Sequence, residues 1–582
     1  MYSVKNYKIG FLVVLLILVM GVGLVGIAAD SIPIGLGRGI PQVMGANGVV
    51  AAPSSIAPPI GLKVLMDGGN AIDAAITTAA MITVSDHDKS GIGGHGSMTM
   101  YWAETGEVKC LDWGGFLPHA FTIDQWGTPP KAPEQISVLN TILPGTLAGW
   151  AEALDKYGTI SLAEALEPTI RYAEQGVPTN NKIRNSIKNY ESLAPLVPEW
   201  ASIYMPEGRV PEVGEVIKLQ DLANTYKLIA KEGPDVFYKG ELGDKIIKYL
   251  NENGQRFTKE EFANYKPIWR DTLSTTYRDS YEVFVMKNQN YQPVILTMFN
   301  IWENFDMKSL GLYSPESIHL MIEAGKIALA DRVFYGDPDF SEIPYEILTS
   351  KEYAKRIADN INMNRATPIE ELRPSSLLKE LTNLGTLVDE RIVSNIASNT
   401  GGATTNLAVI DKDHNVCIIT QTLGSAYGTL NVVPGTGIVL TNEGKYFDLE
   451  PIDGPNYPEA GKRNENQMGP AIALKDGKFF VGIGSPGGTQ IPQVIAKLMM
   501  LMIDYDLRIQ EAINAPRVRT DLVKSALEEG IPWEVREKLW QMGHVLTVAT
   551  SFTGPSGVVV DPKSGILEGG AEPFRNAFAV AY

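Results

Sequence analysis

The chain has little of what several large classes of protein require. Its 582 residues include only two cysteines, too few for a disulfide framework or a cysteine-based zinc site. Cys110 and Cys417 each lie in an apolar, strand-like run, so we expect buried free thiols, and the sequence leaves a disulfide between them open. Acidic residues outnumber basic ones, and the net charge of -17 argues against nucleic acid or an anionic membrane surface as a partner.

Motifs of several common catalytic and phosphate-binding sites are also missing. No Gly-x-Ser-x-Gly elbow occurs and the six histidines are scattered singly, so a Ser-His-Asp triad has no support. The glycine-rich segment 90–96 lacks the Lys-Ser/Thr ending of a P-loop, and we interpret it as a backbone turn or a close approach. Residue types that bind metals cluster just before and within it: Asp86, His87, Asp88 and His95. They have neither a helical i, i+4 pair nor a Cys/His framework, so we expect no metal there.

An apolar run follows two basic residues at the N-terminus. Lys5 and Lys8 precede an uncharged stretch from Ile9 to Ala29, which Asp30 ends. This pattern predicts a secretory signal in residues 1–29, with an uncleaved single-span anchor as the alternative. Either segment would place the globular part outside the cytoplasmic membrane.

The rest of the chain alternates between helical and strand-like patterns. The composition, 44% hydrophobic and 20% charged, is ordinary for a globular protein. We predict helices at 62–80, 146–157, 162–175, 492–503 and 509–515, mostly helical structure over 235–364 interrupted by a strand at 281–286, a polar, loosely structured stretch at 364–403, and strand pairs at 96–102 with 107–113, 405–411 with 415–422, 471–474 with 479–483, and 558–560 with 577–580. This order predicts a layered α/β arrangement with helices packed on sheets.

A small-residue run leads into a threonine pair at Thr404 and Thr405. By itself this reads as a loop entering an edge strand. If the bond before Thr404 is cut, however, that residue carries a hydroxyl nucleophile and an α-amine of pKa about 8 that can act as its base. Thr422 ends the predicted partner strand, and a hairpin would bring its hydroxyl back to Thr404. The turn 484–489 lies between a strand and a helix, and its glycines can aim backbone N–H groups at an oxyanion.

With these residues in view, the chain resembles the γ-glutamyltransferase (glutathione hydrolase) family of N-terminal nucleophile hydrolases. The resemblance covers most of the chain after the signal and includes Thr404-Thr405 and Ser485-Pro486-Gly487-Gly488. Further segments follow in the family's order: 68–75, 143–146, 302–307, 330–332, 336–340, 411–413, 461–463 and 514–517. Many matches in order, each weak alone, indicate membership.

The resemblance implies an α/β (α+β) fold of the αββα sandwich type, made as one precursor. This precursor would cut itself before Thr404 into a large subunit, 30–403, and a small subunit, 404–582, that stay together. Thr404 would be the nucleophile and Thr422 its supporting threonine. Two glycines would form the oxyanion hole, Gly487 and Gly488. Glu443 falls where the family places a residue that holds the α-amino group of the substrate.

Several positions that read the glutamyl group differ from the family pattern. The arginine that binds its α-carboxylate is replaced by Gly114, so the bidentate clamp is lost. Other departures are Gly424 for an asparagine, Asn466-Gln467 for a serine pair, Tyr446 for an acidic residue with Asp448 two residues on, and Asn406 for a histidine. Trp113 and Phe116 beside Gly114 hint at a flatter or more apolar acyl group, unless they are core residues.

We therefore hypothesise an extracytoplasmic, self-processing amidohydrolase or acyltransferase that needs no cofactor or metal. Its partners would be a small-molecule amide or γ-glutamyl-like substrate and its own cleaved subunit, with no nucleic acid. The acyl pocket would bind a group without the α-carboxylate, or hold that carboxylate through residues such as Asn466 and Gln467. Two alternatives stay open: a genuine γ-glutamyl (glutathione) hydrolase or transpeptidase, and a catalytically silent homologue that acts as a binding protein.

Overall fold

A computed structural model describes residues 41–368, 371, 403–550 and 553–582. The predicted signal or anchor, 1–29, and most of the polar stretch 364–403 lie outside the described residues. Within the described ranges, none of the helices combines the length and the apolar character that crossing a bilayer would need.

Most of the strands belong to two large sheets. In chain order they are β1 Val43–Gly45, β2 Gly48–Pro53, β3 His95–Trp102, β4 Glu107–Asp112, β5 Val177–Pro178, β6 Val216–Ile217, β7 Ile268–Arg270, β8 Thr272–Tyr277, β9 Tyr281–Met286, β10 Ala403–Asp411, β11 Val416–Gly424, β12 Val432–Val433, β13 Ile438–Val439, β14 Ala471–Lys475, β15 Lys478–Gly484, β16 Val518–Thr520, β17 Ser525–Glu528, β18 Leu546–Ala549, β19 Ser556–Val560, β20 Leu567–Ala571 and β21 Ala577–Ala581.

The helices fall into groups on either side of these sheets. In chain order they are α1 Ala57–Met66, α2 Ala71–Ser85, α3 Thr146–Tyr157, α4 Leu162–Gln175, α5 Asn181–Asn189, α6 Pro198–Tyr204, α7 Gln220–Glu232, α8 Asp235–Tyr238, α9 Glu241–Glu252, α10 Lys259–Asn264, α11 Val294–Trp302, α12 Met307–Leu310, α13 Pro315–Ala330, α14 Tyr345–Leu348, α15 Lys351–Asn360, α16 Ile491–Asp504, α17 Ile509–Asn514 and α18 Trp533–Gln541.

Two seven-stranded antiparallel sheets stack face to face. The first sheet has the order β21-β2-β10-β11-β3-β4-β7, and the second has the order β1-β20-β19-β15-β14-β9-β8. Ala408 and Ile410 of the first sheet pack with Ile472 and Val558 of the second in a core between the sheets. Alternate strand residues point to opposite faces.

A helical layer covers the outer face of each sheet. Leu407 and Val409 of β10 pack into a core with α2, α4 and α7. On the other side, Val283 and Val481 pack with α11, α13 and α16. The four layers follow the order helix, sheet, sheet, helix, which confirms the predicted sandwich.

Three local predictions are wrong. The stretch 235–364, predicted as helical apart from the strand at 281–286, also contains β7 and β8. The other two errors have a clear physical cause. The predicted helix 62–80 is two helices, α1 and α2, because Gly68 adopts a φ of 100° and Asn70 caps the second helix in a capping box with Asp73. The predicted pairing of 558–560 with 577–580 does not form. Instead β19 pairs with β20 in the second sheet, while β21 pairs with β2 in the first.

The remaining hairpins and helices lie close to their predicted positions. The pairs β3–β4, β10–β11 and β14–β15 form, and α3 and α4 have the predicted bounds. Cys110 and Cys417 are buried free thiols on β4 and β11, as expected. Burial raises the pKa of Cys110 to about 12, so the thiol stays protonated.

The positions that the sequence singled out lie at strand ends in both sheets. In the first sheet, Thr404 pairs with Thr422 and Thr422 with His95. In the second sheet, the end of β9, the start of β14 and the end of β15 lie side by side. Ala471 pairs with Ile483, and Ile472 pairs with Phe284. Three segments connect to these strand ends: 287–292, 464–470 and 484–489.

Candidate active site

Two threonine hydroxyls meet at the open end of the β10–β11 hairpin. Thr404 and Thr422 are directly opposite in the ladder, so both side chains point toward the second sheet. The Thr404 Oγ1 hydroxyl donates a hydrogen bond of 3.2 Å to Thr422 Oγ1. Both residues are buried, at 7% and 1% exposure. Thr405 points to the other face and donates to the carbonyl oxygen of Gln421, at 3.2 Å.

Thr422 also contacts the peptide bond that precedes Thr404. Its hydroxyl donates to the Ala403 carbonyl oxygen at 2.7 Å and accepts from the Gly424 N–H at 2.8 Å. One side chain therefore links the hydroxyl of residue 404 to the carbonyl of residue 403. A hydroxyl with two incoming hydrogen bonds is a stronger donor for its outgoing one.

Gly424 reaches Thr422 because of an unusual backbone conformation. Its φ is 94°, and the ladder shifts register between Ala403 and Thr404. A Cβ atom at Gly424 would overlap Asn442 Oδ1, which accepts from the Ser425 N–H at 2.8 Å. The amide of Asn442 thus fills the space beside Gly424. Position 424 is the one at which the family pattern has an asparagine.

The predicted oxyanion turn directly follows the end of β15. Gly487 and Gly488 have φ values of 134° and 61°, conformations that favour glycine, and α16 begins three residues later. The end of β15 packs against β10, because a Cβ at Gly484 would lie 3.1 Å from Asn406 Nδ2. The turn therefore leaves the second sheet next to the β10 end that carries Thr404.

Glu443 is buried and has two polar neighbours. Its Oε1 lies 3.3 Å from His95 Nε2, and its Oε2 accepts from Asn464 Nδ2 at 3.3 Å. His95 is 1% exposed and pairs with Thr422 in the β11–β3 ladder. Sequence reasoning missed this role for His95. The signal that could have found it is its position at the start of a strand that pairs with the Thr422 strand.

Gly114 follows β4, and a polar side chain occupies the space beside it. The Gly114 N–H donates to Asp112 Oδ1 at 2.9 Å. A Cβ built at Gly114 would lie 2.8 Å from Gln289 Nε2. Gln289 is 1% exposed, so an arginine at 114 would have to displace a buried amide. Sequence reasoning did not single out Gln289, because a polar segment after a strand looks like a loop.

Asn466 and Gln467 lie in the segment that leads into β14. Asn466 Oδ1 accepts from the Met468 N–H at 3.0 Å, and the Gln467 carbonyl accepts from Gln292 Nε2 at 2.7 Å. Both residues are buried at 5% exposure. The structure thus brings 466–467 together with the segment that contains Gln289, and Asn464 connects this group to Glu443.

The other positions that depart from the family pattern have structural contacts. Asn406 Nδ2 donates to the Ser556 carbonyl at 3.3 Å, which joins the two sheets. Tyr446 is buried beneath Lys445, whose Nζ lies 4.7 Å from the ring centroid. Asp448 Oδ2 accepts from Asn456 Nδ2 at 2.9 Å. Trp113 is buried in the core under the first sheet.

The residue types that resembled metal ligands are used otherwise. Asp86 lies 3.1 Å from Lys182 Nζ, Asp88 pairs with Lys89, and His87 packs on Tyr204. A second group of ligand types lies in the helical layer of the second sheet: His319, Glu323 and His544. There His319 Nδ1 and His544 Nε2 are 2.8 Å apart, and Lys326 Nζ lies 2.8 Å from Glu323. These atoms are engaged with one another or with a lysine.

The fold and the site define a class of protein. Two antiparallel sheets between helical layers, with a threonine at the start of a central strand, form the αββα fold of N-terminal nucleophile hydrolases. The chain belongs to the γ-glutamyltranspeptidase family, whose sequence model matches residues 57–582. It is therefore an enzyme of the amidohydrolase and acyltransferase kind.

Relatives in this family carry two kinds of name. The chain is 33% identical over 545 residues to a glutathione hydrolase proenzyme of Escherichia coli, covering 90% of each chain. It is 31% identical over 539 residues to the Acylase ACY 1 proenzyme of a Pseudomonas species, covering 90% of this chain and 92% of that protein. The crystal structure of a cephalosporin acylase from Bacillus halodurans superposes with a TM-score of 0.83 at 29% identity, covering 96% of this chain and 99% of that one.

Proposed function

We propose that the protein is a self-cleaving amidohydrolase or acyltransferase that uses Thr404 as an N-terminal nucleophile. The observation that carries this proposal is the position of Thr422. Its hydroxyl accepts from Thr404 Oγ1 and donates to the Ala403 carbonyl, so nucleophile and scissile bond are already joined by hydrogen bonds. Nucleophiles need an acceptor for their proton and a donor for the developing oxyanion. Thr422 supplies both.

These contacts support a proton relay for the first cleavage. Thr404 Oγ1 attacks the Ala403 carbonyl carbon and passes its proton to Thr422 Oγ1, whose own proton moves to the Ala403 oxygen. The C–N bond then breaks as the proton on the former Ala403 oxygen passes to the Thr404 nitrogen, which becomes an amine, and an ester joins the Ala403 carbonyl carbon to Thr404 Oγ1. Water hydrolyses this ester and leaves a large subunit that ends at Ala403, 30–403 if a signal is removed, and a small subunit, 404–582.

The same parts serve the second reaction, on an external amide. The freed α-amine of Thr404, with an ordinary pKa of about 8, takes the hydroxyl proton as the oxygen attacks. The backbone N–H groups of Gly487 and Gly488 hold the oxyanion, which their φ values and their place beside β10 support. The C–N bond breaks and the amine leaves with a proton. Water or another amine then takes the acyl group.

The acyl pocket is proposed to differ from a γ-glutamyl pocket. Gln289 stands in the space beside Gly114, so no guanidinium clamp can extend from that position. Glu443 remains available for a donor group of the substrate, with His95 beside it. The names of the relatives include both glutathione hydrolases and acylases. The absence of an arginine at position 114 favours an acylase activity over γ-glutamyl hydrolysis.

A direct experiment measures amide hydrolysis before and after cleavage. Purified protein is incubated, sampled on a denaturing gel, and assayed with γ-glutamyl and simple acyl para-nitroanilides. We expect activity to rise together with the two fragments and to favour acyl groups without an α-carboxylate. An uncut chain that stays inactive would refute the proposal in favour of a silent binding protein. Preferred turnover of the γ-glutamyl compound would instead indicate that the protein is a genuine γ-glutamyl hydrolase.

The N-terminal segment supports an extracytoplasmic location, by secretion or by anchoring. Expression in a Gram-negative host followed by osmotic release tests this. The protein should appear in the periplasmic or membrane fraction, and deletion of residues 1–29 should retain it in the cytoplasm.

A further inference from the structure

Buried carboxamides lie in two neighbouring segments, one of which carries Gln289 beside Gly114. Both segments connect to strand ends of the second sheet, and each of these carboxamide residues is at most 5% exposed: Gln289, Asn290, Gln292, Asn466 and Gln467. We call this group the carboxamide cluster. A buried amide needs hydrogen-bond partners, so the partners that these five lack indicate what the site can receive.

The orientation of two of these amides is determined by backbone carbonyls. Asn290 Nδ2 donates to the Met468 carbonyl, and Gln292 Nε2 donates to the Gln467 carbonyl at 2.7 Å. A flip of either amide would place two oxygens against each other, so the nitrogens must face these carbonyls. The side-chain oxygens of Asn290 and Gln292 therefore face away from them.

These oxygens have no protein partner in the described parts of the chain. The same holds for Gln289 Oε1, which gives three buried acceptors within four consecutive positions, and one buried donor of the cluster, Gln467 Nε2, is also without a partner there. Unpaired buried acceptors are unfavourable, and a ligand that brings N–H or O–H donors relieves them. A terminal carboxamide brings both N–H donors and an acceptor, whereas a carboxylate brings only acceptors and leaves the three oxygens unpaired.

The charges around Gly114 point the same way. Three arginines lie in this region, and each contacts a carboxylate of the protein. Arg463 Nη1 lies 2.9 Å from Asp339 and 3.3 Å from Asp337, Arg332 lies 2.7 Å from Glu465, and Arg270 Nε lies 3.4 Å from Asp112. Glu443 adds a further buried acidic group. A substrate carboxylate would therefore compete at each of these arginines with a carboxylate of the protein.

We infer that the carboxamide cluster is an acyl-recognition site for an uncharged acyl group that ends in a hydrogen-bond donor, with a terminal carboxamide as the best match. This inference rests on the proposed function, since it names the substrate class of the Thr404 site. The terminal N–H groups donate to the free oxygens of Gln289, Asn290 and Gln292. A donor-matched polar site rejects an analogue that lacks the donor far more strongly than an apolar pocket rejects a missing methylene.

An isosteric pair of substrates tests the inference. Glutaramoyl para-nitroanilide and glutaryl para-nitroanilide differ only in a terminal carboxamide or carboxylate. For the cleaved enzyme we expect kcat/KM to favour the glutaramoyl compound by about tenfold or more. Equal or faster turnover of the glutaryl compound would overturn the inference and assign the carboxylate to Arg270, whose Nη2 has no hydrogen-bond partner among the described residues.

A variant and a matched control separate recognition from folding. Gln289→Met keeps the shape but removes the polar atoms, and it should reduce the preference to less than threefold. Gln510→Met removes another buried amide, one that bonds both ways to Ala571 at 3.2 and 3.0 Å outside this cluster, and it should keep the preference. A preference unchanged in Gln289→Met would overturn the assignment. The ratio is measured within one sample, so partial unfolding cancels.

Binding distinguishes this inference from the proposed function. If the chain stays uncut or hydrolyses no anilide, the proposed function fails. Calorimetric titration with glutaramide and with glutarate then decides the inference by itself. Tighter binding of the diamide supports the carboxamide cluster as a recognition site, and tighter binding of glutarate contradicts it.

Discussion

The strand ends around Thr404 and the loops around Gly114 are built from different kinds of contact. At Thr404, the register of β10 and β11 places two hydroxyls and one carbonyl within hydrogen-bond distance, and each atom has a partner. At Gly114, loops from two segments bring buried amides together, and several of their oxygens are unpaired in the described residues. Among the described residues, the polar atoms of the first region pair with one another, whereas the second region keeps buried acceptors without a donor.

Under the proposed function, the first region carries the reactivity of the enzyme and the second carries its selectivity. A ladder register is inherited with the fold, because a slip of one residue would turn every side chain to the other face. Loop side chains carry no such constraint and can change while the fold stays. We therefore expect substitutions at the strand ends to abolish chemistry and substitutions in the loops to change which amide is used.

The largest effect is expected for Thr404→Ala. It removes the proposed nucleophile, so neither precursor cleavage nor amide turnover should be detectable, a loss of more than about a thousandfold. The matched control is Thr405→Ala, because Thr405 faces away from the site and contacts the Gln421 carbonyl. Gel analysis and anilide turnover measure both variants. Cleavage in Thr404→Ala together with its loss in Thr405→Ala would place the nucleophile one residue later.

A smaller but still large effect is expected for Thr422→Val, which keeps the shape and removes the hydroxyl. The rate of precursor cleavage should fall by about a hundredfold to a thousandfold, because a donor to the oxyanion is lost. Thr420→Val is the control, since Thr420 lies two positions along the same strand face and its hydroxyl has no partner in the described residues. It should cleave at the wild-type rate. Equal rates for the two variants would remove Thr422 from the relay.

Gly424→Ala tests whether backbone geometry supports Thr422. The new Cβ would overlap Asn442 Oδ1 at a φ of 94°, so the free energy of unfolding should fall by about 2–4 kcal/mol. Cleavage should slow as the Gly424 N–H moves away from Thr422. Gly435 also has a positive φ, 69°, but a Cβ there would meet open space. Gly435→Ala should therefore lower the free energy of unfolding by about 1–2 kcal/mol and leave cleavage normal. Urea unfolding and a cleavage time course measure both. Unimpaired cleavage in Gly424→Ala would contradict this role.

The smallest effect is expected for His95→Asn, on the border of the two regions. Glu443 loses a neighbour at 3.3 Å, so KM should rise by about threefold to tenfold, while kcat and precursor cleavage change little. His119→Asn serves as the control, because that side chain is 67% exposed. Steady-state kinetics resolve KM from kcat. A fall in kcat with unchanged KM would instead connect His95 to the chemistry of the threonines.

The helices and strands that the sequence predicted well are those with a clear local pattern of apolar residues. Two neighbouring apolar, strand-like runs predicted the β10–β11 hairpin, and with it the meeting of Thr404 and Thr422. The break between α1 and α2 was missed because one apolar pattern continues through Gly68 and Gly69. Strand β20 was missed because Gly569 and Gly570 read as a loop. In the structure, a Cβ at Gly569 would lie 2.5 Å from Val49, so glycine is what lets the sheets approach.

The acyl side of the site was less predictable for a different reason. The replacement of an arginine by Gly114 was visible, but the residue that fills the space comes from position 289, after a different strand of the other sheet. A polar loop such as 288–292 has no periodicity that marks it as buried. Its contacts depend on the stacking of two sheets, which no local pattern encodes.

The most direct test of the account is the N-terminal residue of the small fragment. Wild-type protein is incubated after purification, its fragments are separated under denaturing conditions, and each is analysed by mass spectrometry and N-terminal sequencing. We predict one cut, between Ala403 and Thr404, with a free threonine amine on the small fragment. A chain that stays intact, or a small fragment that begins at any other residue, would contradict the assignment of Thr404 as the nucleophile.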